Sequence, residues 1–243
     1  MNARLIEIYQ APQGEGPYLG LPMLFVRFET CAFRCSYCDT PDSFKKFSHF
    51  KWEKQPGLAE FSQETNPISV LDFQKLLQNH PCPWLSLTGG EPLHQADFLA
   101  ESLPALKGEK KILLETAGTL PKDLEKIIHM IDVVSMDIKL SSVTGMRSYL
   151  KEHLDFIKVV GNQELYLKVV VSQETDEEEW RQTLETLAPL CQETLWILQP
   201  LTPRLDGALP ISVKKLAHLK AMAESYLKQV QVIPQAHPQW GGL

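Results

Sequence analysis

The chain has 243 residues, of which 44% are apolar and 22% are charged, and its formal net charge is −6. This length suits one full α/β core, and an acidic balance without a basic stripe argues against direct nucleic-acid binding. No apolar run has the length of a membrane span, and the first residues lack the apolar core of a secretory signal. We therefore expect a cytoplasmic protein without a membrane partner, in which clustered cysteines bind metal or act in catalysis.

The chain alternates strand-like and helix-like segments. Apolar runs predict seven strands, at Met23–Phe28, Trp84–Leu87, Ile112–Leu114, Val133–Ile138, Leu165–Val171, Trp196–Leu198 and Val230–Ile233. Helical spacing predicts helices containing Val70, Phe73 and Leu77 after a Ser69 cap, then Trp180, Leu184 and Leu187, and later Leu216, Leu219, Ala223 and Tyr226. Repeated β-α units predict a parallel sheet that is closed or partly closed.

Residues 45–66 interrupt this alternation. The segment is polar and aromatic, with turn signals at Pro56-Gly57 and Asn66-Pro67. Two interpretations stay open, a lid over a site and a plain surface excursion. The sequence shows no internal repeat and no linker, so we expect residues 1–243 to form a single domain with this insertion.

Three cysteines stand in one short run, C-A-F-R-C-S-Y-C, at Cys31, Cys35 and Cys38. Because an iron–sulfur cube normally takes four thiolates, three local cysteines would leave one iron open to a substrate or cofactor. Zinc with a histidine ligand stays an alternative, although the run lacks the paired C-x₂-C spacing of most structural zinc sites. Cys82 and Cys191 stand alone beside apolar or proline residues, which is typical of small buried side chains.

Polar residues follow the ends of the predicted strands. T-G-G-E-P at 88–92 follows the second strand, and later strands end at Glu115, at Ser135, Asp137 and Lys139, and at Gln199. Each signal alone is typical of a turn, a solvated strand end or a helix cap. The carboxyl ends of parallel strands meet at one edge of the sheet, so the joint occurrence of these polar residues predicts a functional site at that edge. Its glycines permit close backbone approach, and Glu91 offers a carboxylate to an amine.

Together, these motifs resemble the radical S-adenosylmethionine superfamily. The resemblance implies a partial, incomplete TIM-like β/α barrel in which Cys31, Cys35 and Cys38 hold a 4Fe-4S cluster. The open iron would bind the methionine end of S-adenosylmethionine, and one electron would cleave this cofactor to a 5′-deoxyadenosyl radical. Implied cofactor contacts are Tyr37, Gly90, Glu91, Glu115, Ser135, Asp137 and Gln199.

The flanking motifs resemble the 7-carboxy-7-deazaguanine synthase family within that superfamily. They are Q-G-E-G at 13–16, P-x-x-F-V-R-F at 22–28, C-D-T at 38–40 and P-Q-A-H at 234–237. The resemblance implies a lyase that converts 6-carboxy-5,6,7,8-tetrahydropterin to 7-carboxy-7-deazaguanine with loss of ammonia, in queuosine or deazapurine biosynthesis. It implies Mg²⁺ at Thr40, whose hydroxyl is a hard oxygen ligand. Implied substrate contacts are Pro12, Gln13, Gly14, Arg27, Thr88 and His237.

The family resemblance also implies partners and leaves two alternatives open. It implies a flavodoxin- or ferredoxin-like electron donor and a homodimer, and it makes the terminal Leu243 a candidate for entry into the site. A glycyl-radical-enzyme activase would share the cysteine run, T-G-G-E-P and Asp137-Ile138-Lys139, but the Q-G-E-G, C-D-T and P-Q-A-H motifs argue against it. A non-catalytic zinc or iron–sulfur binding module would bind metal without cleaving the cofactor.

Overall fold

A computed structural model describes residues 1–202 and 211–237. The strands in these ranges are β1 (Asn2–Ala3), β2 (Leu5–Pro12), β3 (Pro22–Phe28), β4 (His49–Glu53), β5 (Phe61–Thr65), β6 (Ile68–Ser69), β7 (Trp84–Gly89), β8 (Lys111–Thr116), β9 (Val133–Ile138), β10 (Glu164–Val171), β11 (Leu195–Pro200) and β12 (Gln229–Val232). The α-helices are α1 (Val70–Gln78), α2 (Ala96–Ser102), α3 (Pro121–Ile127), α4 (Ser141–Thr144), α5 (Leu150–Val160), α6 (Glu177–Cys191) and α7 (Val213–Glu224). Leu243, the candidate for entry into the site, lies outside the described residues.

Ten of these strands form one sheet, in the order β12-β11-β10-β9-β8-β7-β3-β2-β4-β5. All neighbours from β3 to β12 are parallel, and all seven predicted strands lie in this part. Within the described ranges, the edge strands β12 and β5 do not pair with each other. The fold is therefore a partial β/α barrel, as predicted.

The predicted helices pack with the expected faces toward the sheet. The Ser69 hydroxyl accepts a hydrogen bond from the backbone N–H of Asp72 at 3.2 Å, which caps α1. In α6, Trp180, Leu184 and Leu187 are fully buried. The isolated cysteines are buried as well, as expected for small apolar side chains. No helix in the described part of the chain is both long enough and apolar enough to span a membrane.

Side chains on the inner face of the parallel strands form two layers. The lower layer is apolar and buried, and it contains Phe25, Leu113, Val133, Tyr166 and Ile197. Residues two positions apart in a strand share a face, so each strand places a polar side chain directly above this layer. These polar residues are Arg27, Glu115, Ser135, Lys168 and Gln199, and all of them line one cavity.

The amino-terminal part of the sheet was not predicted. β2 runs antiparallel to β3, with Ile8 opposite Val26. Residues 45–66 contain β4 and β5, and β4 extends the sheet by pairing with β2. The insertion is thus a paired extension of the sheet edge, and Lys51 and Gly57 from it reach the cavity wall.

A buried carboxylate fixes this insertion to the barrel. Glu29 directly follows β3 and accepts hydrogen bonds from Arg4 Nε at 2.7 Å, Phe47 N at 2.9 Å and Asn66 Nδ2 at 3.1 Å. Phe47 and Asn66 lie near the two ends of the insertion. Both ends are therefore tied to the strand that leads into the cysteine run.

Candidate active site

One cavity of about 970 Å³ lies at the carboxyl ends of the parallel strands. Nearly every residue predicted for the site lines it: Pro12, Gln13, Gly14, Arg27, Cys31, Cys35, Tyr37, Cys38, Thr40, Thr88, Gly90, Glu115, Ser135, Asp137, Gln199 and His237. The exception is Glu91. The structure thus brings the predicted residues together, while their individual roles stay predictions.

The cysteine loop follows β3 directly, and its three thiols are half-buried. The Arg34 guanidinium donates to the carbonyls of Cys31 at 2.8 Å and Phe33 at 2.7 Å, and Ser36 N donates to Thr144 O at 2.9 Å. Burial raises the pKa of the Cys31 thiol to about 11, so metal binding has to displace its proton. Three such thiols on one fixed loop fit a metal cluster that takes cysteine ligands.

The T-G-G-E-P turn packs directly against this loop. A Cβ atom on Gly90 would lie 2.7 Å from the carbonyl carbon of Thr30 and 3.1 Å from Cys31 Cβ. The backbone N–H of Glu91 donates to Thr30 O at 2.9 Å. Only glycine permits this close approach, which sets the turn beside the first cysteine.

Glu91 is the one predicted cofactor contact that does not line the cavity, and its role stays a prediction. Its side chain is 1% exposed, and it accepts hydrogen bonds from Thr116 Oγ1 at 2.8 Å, Ala117 N at 2.8 Å and Leu93 N at 3.2 Å. Burial raises its pKa, although these hydrogen bonds oppose the shift. The carboxylate therefore joins two loops inside the protein. A sequence motif does not show in which direction a side chain points.

We call the region around Tyr37, Ser135, Asp137, Lys139 and Gln199 the cofactor half of the cavity. Lys139 Nζ lies 2.9 Å from Asp137 Oδ2 and 5.4 Å from the centre of the Tyr37 ring. Burial lowers the pKa of Lys139, but the neighbouring charges, Asp137 foremost, raise it well above its ordinary value. Asp137 Oδ1 and Gln199 Oε1 are buried without a hydrogen-bond partner among the described residues.

These two acceptor oxygens indicate which ligand suits the cofactor half. Buried polar atoms nearly always have partners, so two buried oxygens without one fit a ligand that carries hydrogen-bond donors. The ribose hydroxyls and adenine amine of S-adenosylmethionine are such donors. The residues of the cofactor half therefore fit that molecule.

A buried histidine supports the cofactor half from behind. His153 of α5 is 1% exposed, its Nε2 accepts from Lys139 N at 3.1 Å, and its Nδ1 lies 3.0 Å from Gly118 O. Burial lowers the pKa of His153 to about 4, so the ring is neutral and donates from Nδ1. His153 links the end of β9 to the turn after β8, a role that no motif in the sequence indicates.

We call the opposite region, around residues 12–15, Arg27, Thr88 and His237, the substrate half. Arg27 Nε donates to Glu7 Oε1 at 2.8 Å, Nη2 to Tyr9 Oη at 2.7 Å and Nη1 to Thr40 Oγ1 at 3.3 Å. Each terminal nitrogen keeps one further N–H, which suits an acceptor on a ligand. Glu7 and Tyr9 were missed because β2 was not predicted; their alternating positions in a strand were the available signal.

Glu115 lines the cavity and bonds to residues of the substrate half. Its carboxylate accepts hydrogen bonds from Ser86 Oγ at 2.7 Å, Gln13 Nε2 at 3.0 Å and Thr88 Oγ1 at 3.2 Å. Gln13 and Thr88 are both predicted substrate contacts. These hydrogen bonds connect Glu115 to both residues, and its contact with the cofactor stays a prediction.

An oxygen-rich corner lies between the cysteine loop and the carboxyl-terminal segment. Ligand atoms of Glu15, Asp39 and His237 all lie within 4.8 Å of one another, and Thr40 Oγ1 donates to Asp39 Oδ1 at 3.1 Å. Carboxylate and hydroxyl oxygens are the ligands that Mg²⁺ prefers, so the corner fits that ion. Asp39 was overlooked as a ligand, although it lies within C-D-T.

The carboxyl-terminal segment packs on the Q-G-E-G loop. Ala236 N donates to Gly14 O at 2.9 Å, and a Cβ atom on Gly14 would lie 2.6 Å from His237 Cβ. Glycine at position 14 therefore lets His237 reach the cavity. Gln235 of the P-Q-A-H motif donates a hydrogen bond to Glu15, which lies 220 residues earlier in the chain. The motif therefore forms part of the same cavity wall as the loop.

Comparisons with known proteins agree with this geometry. Residues 25–187 match the model of the Radical SAM superfamily. Proteins named 7-carboxy-7-deazaguanine synthase are 34% identical in Geobacter sulfurreducens (100% of this chain, 98% of the relative) and 32% identical in Methanocaldococcus jannaschii (98% and 99%). A crystal structure titled as QueE from Escherichia coli has the same fold, with a TM-score of 0.61 and 21% identity over 98% of this chain and 95% of that one. The chain therefore belongs to the radical SAM superfamily and, within it, to the 7-carboxy-7-deazaguanine synthase family.

Proposed function

We propose that this chain converts 6-carboxy-5,6,7,8-tetrahydropterin to 7-carboxy-7-deazaguanine, acting as a carbon–nitrogen lyase that releases ammonia. One observation carries the proposal: a single cavity contains the cysteine loop, the cofactor half and the substrate half. When bound, the cluster supplies an electron and S-adenosylmethionine supplies the carbon radical that starts the reaction. Cys31, Cys35 and Cys38 would hold the cluster.

The residues of the substrate half have the chemistry to bind a carboxylated pterin. The two remaining N–H groups of Arg27 suit the carboxylate, since a guanidinium pairs with it at two points. Gln13 and Thr88 are held by Glu115 in the cavity wall, where they would meet the donor and acceptor edge of a flat ring. His237 would close this side, because the carboxyl-terminal segment packs across the loop that carries Gly14.

We include Mg²⁺ in the proposal. Thr40 and Asp39 supply oxygen atoms next to Arg27, so an ion there would neighbour the substrate carboxylate. The positive Arg27 guanidinium, 3.3 Å from Thr40 Oγ1, opposes a cation. The nearby carboxylates of Asp39 and Glu15 offset that repulsion.

A surface beside the cysteine loop suits the electron donor. The exposed Arg34 guanidinium stacks on the Phe44 ring at 4.0 Å, and the exposed Arg147 stacks on Tyr149 at 4.0 Å. Phe44 is exposed and Tyr149 is half-buried, and Arg147 also donates to Glu152 Oε1 at 2.6 Å. Two exposed arginines held in place beside the cysteine loop favour an acidic flavodoxin- or ferredoxin-like protein. Arg147→Gln should slow reduction by such a donor and leave reduction by a small chemical reductant unchanged; equal slowing by both would contradict this docking surface.

The remaining expectations stay part of the proposal. We propose a homodimer in the cytoplasm, with residues 1–243 forming one domain. The solution mass of the intact protein tests the dimer. The carboxyl-terminal segment contributes Gln235 and His237 to the cavity wall, which favours a small substrate over the protein loop that an activase would have to admit.

The decisive experiment is an anaerobic assay of the reconstituted, reduced protein. Supplied with S-adenosylmethionine, Mg²⁺ and the carboxytetrahydropterin, it should form the deazaguanine carboxylate and ammonia with little net loss of cofactor. Cofactor cleavage with an untouched pterin would refute the substrate and favour the activase. An intact cluster without any cleavage would instead favour the binding module.

A further inference from the structure

Lys168 is a buried cation that no motif of the chain includes. It lies in β10 directly above the apolar layer, is 9% exposed, and lines the cavity. Burying an ammonium group is costly unless it is paired, so its partners define its role. The available sequence signal was a single lysine within the run L-Y-L-K-V-V-V.

The Lys168 ammonium contacts one carboxylate from each half of the cavity. It donates to Glu15 Oε2 in the Q-G-E-G loop, and it lies 3.6 Å from Asp137 Oδ2 at the end of β9. Asp137 belongs to the cofactor half, whereas Glu15 belongs to the loop of the substrate half. Among the contacts of the described residues, this ammonium is a direct bridge between the two.

Glu15 extends the bridge to two more segments. Its Oε1 accepts hydrogen bonds from Gln199 Nε2 at 3.2 Å and from Gln235 Nε2 at 2.6 Å. Burial raises the pKa of Glu15, but Lys168 outweighs this effect and lowers the value to about 2. The anion therefore holds β11 and the carboxyl-terminal segment against the Q-G-E-G loop, and Lys168 is its counter-charge.

Two residues next to this Lys168–Glu15 pair each have a buried acceptor oxygen. The second carboxylate oxygen of Asp137 and the amide oxygen of Gln199 are buried without a partner in the described ranges. An ion pair with a purely structural role would not require buried acceptor oxygens on both Asp137, beside Lys168, and Gln199, beside Glu15. A ligand that donates to them would fix Asp137 and Gln199, and through them Lys168 and Glu15.

We propose that Lys168 is a positioning residue that couples the two halves, so that the cofactor and the pterin each strengthen binding of the other. The inference rests on the proposed function. The first ligand orders the bridge and the carboxyl-terminal segment, so the second ligand loses less conformational entropy on binding. Such coupling is reciprocal by thermodynamic necessity.

The test measures four affinities of the cluster-loaded protein without oxygen: the Kd of S-adenosylmethionine with and without saturating carboxytetrahydropterin, and the converse pair. For the unmodified chain we expect each ligand to tighten the other by the same factor, about five-fold or more. Lys168→Met should bring this factor close to one. Lys168→Arg, which keeps the charge, should restore part of it.

Two further variants keep the test decisive. Lys168→Met leaves Glu15 buried without its counter-charge, so a Glu15→Gln/Lys168→Met double variant removes both charges at once. Lys110→Met is the matched control, since Lys110 is also buried and donates to the carbonyls of His80 and Cys82. It should keep the full coupling factor.

The outcomes separate this inference from the proposed function. Independent affinities in the unmodified chain, or full coupling in the folded double variant, would overturn the coupling alone. A chain that binds S-adenosylmethionine but no pterin would overturn the proposed substrate together with the coupling. Equal loss of coupling in Lys110→Met would show a general effect of removing a buried lysine and would overturn the role of Lys168.

Discussion

The close packing of the T-G-G-E-P turn makes Gly90→Ala a sensitive test of the cysteine loop. The added Cβ would lie 2.7 Å from the carbonyl carbon of Thr30, whereas carbon atoms in contact are about 3.5 Å apart. The carbonyl oxygen of Thr30 lies nearer still, so this carbonyl would have to move by at least about 0.8 Å. It is bonded to Cys31, the first cysteine of the run. We therefore expect the substitution to disturb cluster binding as well as stability.

The magnitude follows from two contributions. Overpacking of this kind costs about 1–3 kcal/mol. Moving the Thr30 carbonyl also weakens its hydrogen bond with the Glu91 N–H, now 2.9 Å, which is worth about 1 kcal/mol. The free energy of unfolding should fall by about 2–4 kcal/mol, and the iron content after reconstitution should fall well below that of the unmodified chain.

Gly108→Ala is the matched control. Gly108 has φ +93 and no atom within 4 Å of an added Cβ, so alanine there is strained without any clash. This strain costs about 1–2 kcal/mol, yet the iron content should stay normal. Denaturant unfolding and iron analysis of both variants provide the measurement. A Gly90→Ala protein with normal iron and normal stability would refute the packing of the turn against the loop.

The remaining predictions concern the metal corner, the buried histidine and Glu91. Thr40→Ala should keep its iron but weaken activation by Mg²⁺ several-fold, with Thr40→Ser retaining it; an unchanged Mg²⁺ response would remove Thr40 from the metal site. Native His153 stays neutral above its pKa of about 4 while the unfolded ring titrates near 6.5, so protonation favours the unfolded state. The free energy of unfolding should fall by about 2 kcal/mol from His153 alone between about pH 7.5 and about pH 5, and His153→Gln should lack that component. In Glu91→Gln only one of the two terminal atoms can accept, so either Ala117 N or Leu93 N faces an NH₂ group; we expect a loss of about 1–3 kcal/mol in denaturant unfolding, and no loss would contradict the observed hydrogen bonds.

The sequence predicted the parallel part of the barrel because its strands are buried on both faces. Such strands are nearly continuous apolar runs, as in Val133–Ile138, which agrees with β9 residue for residue. β2 and β4 alternate or carry polar residues, since they lie toward the open edge of the sheet. Their mixed patterns were no comparable signal, and the antiparallel pairing of β2 could not be deduced from strand propensity.

The site was predicted well at the level of position and less well at the level of contacts. The carboxyl ends of parallel strands meet at one edge of the sheet, so the residues that follow each strand identified the cavity wall. Side-chain direction and partner choice depend on atoms from distant segments, as with Glu91 and Glu115, whose carboxylates are satisfied inside the protein. Lys168 was not identified for the same reason, because its partner Glu15 lies 153 residues away.

The two layers inside the barrel show why fold and site are inseparable in this chain. On β9, Val133 belongs to the apolar layer, and Ser135 and Asp137 follow on the same face. A slip of one residue in the pairing of this strand would turn Val134 and Met136 into the cavity and bury Ser135 and Asp137 among the helices. That slip would cost the apolar layer its packing at the same time as it removed the polar contacts. The register that builds the core therefore also selects which side chains of the strand face the site.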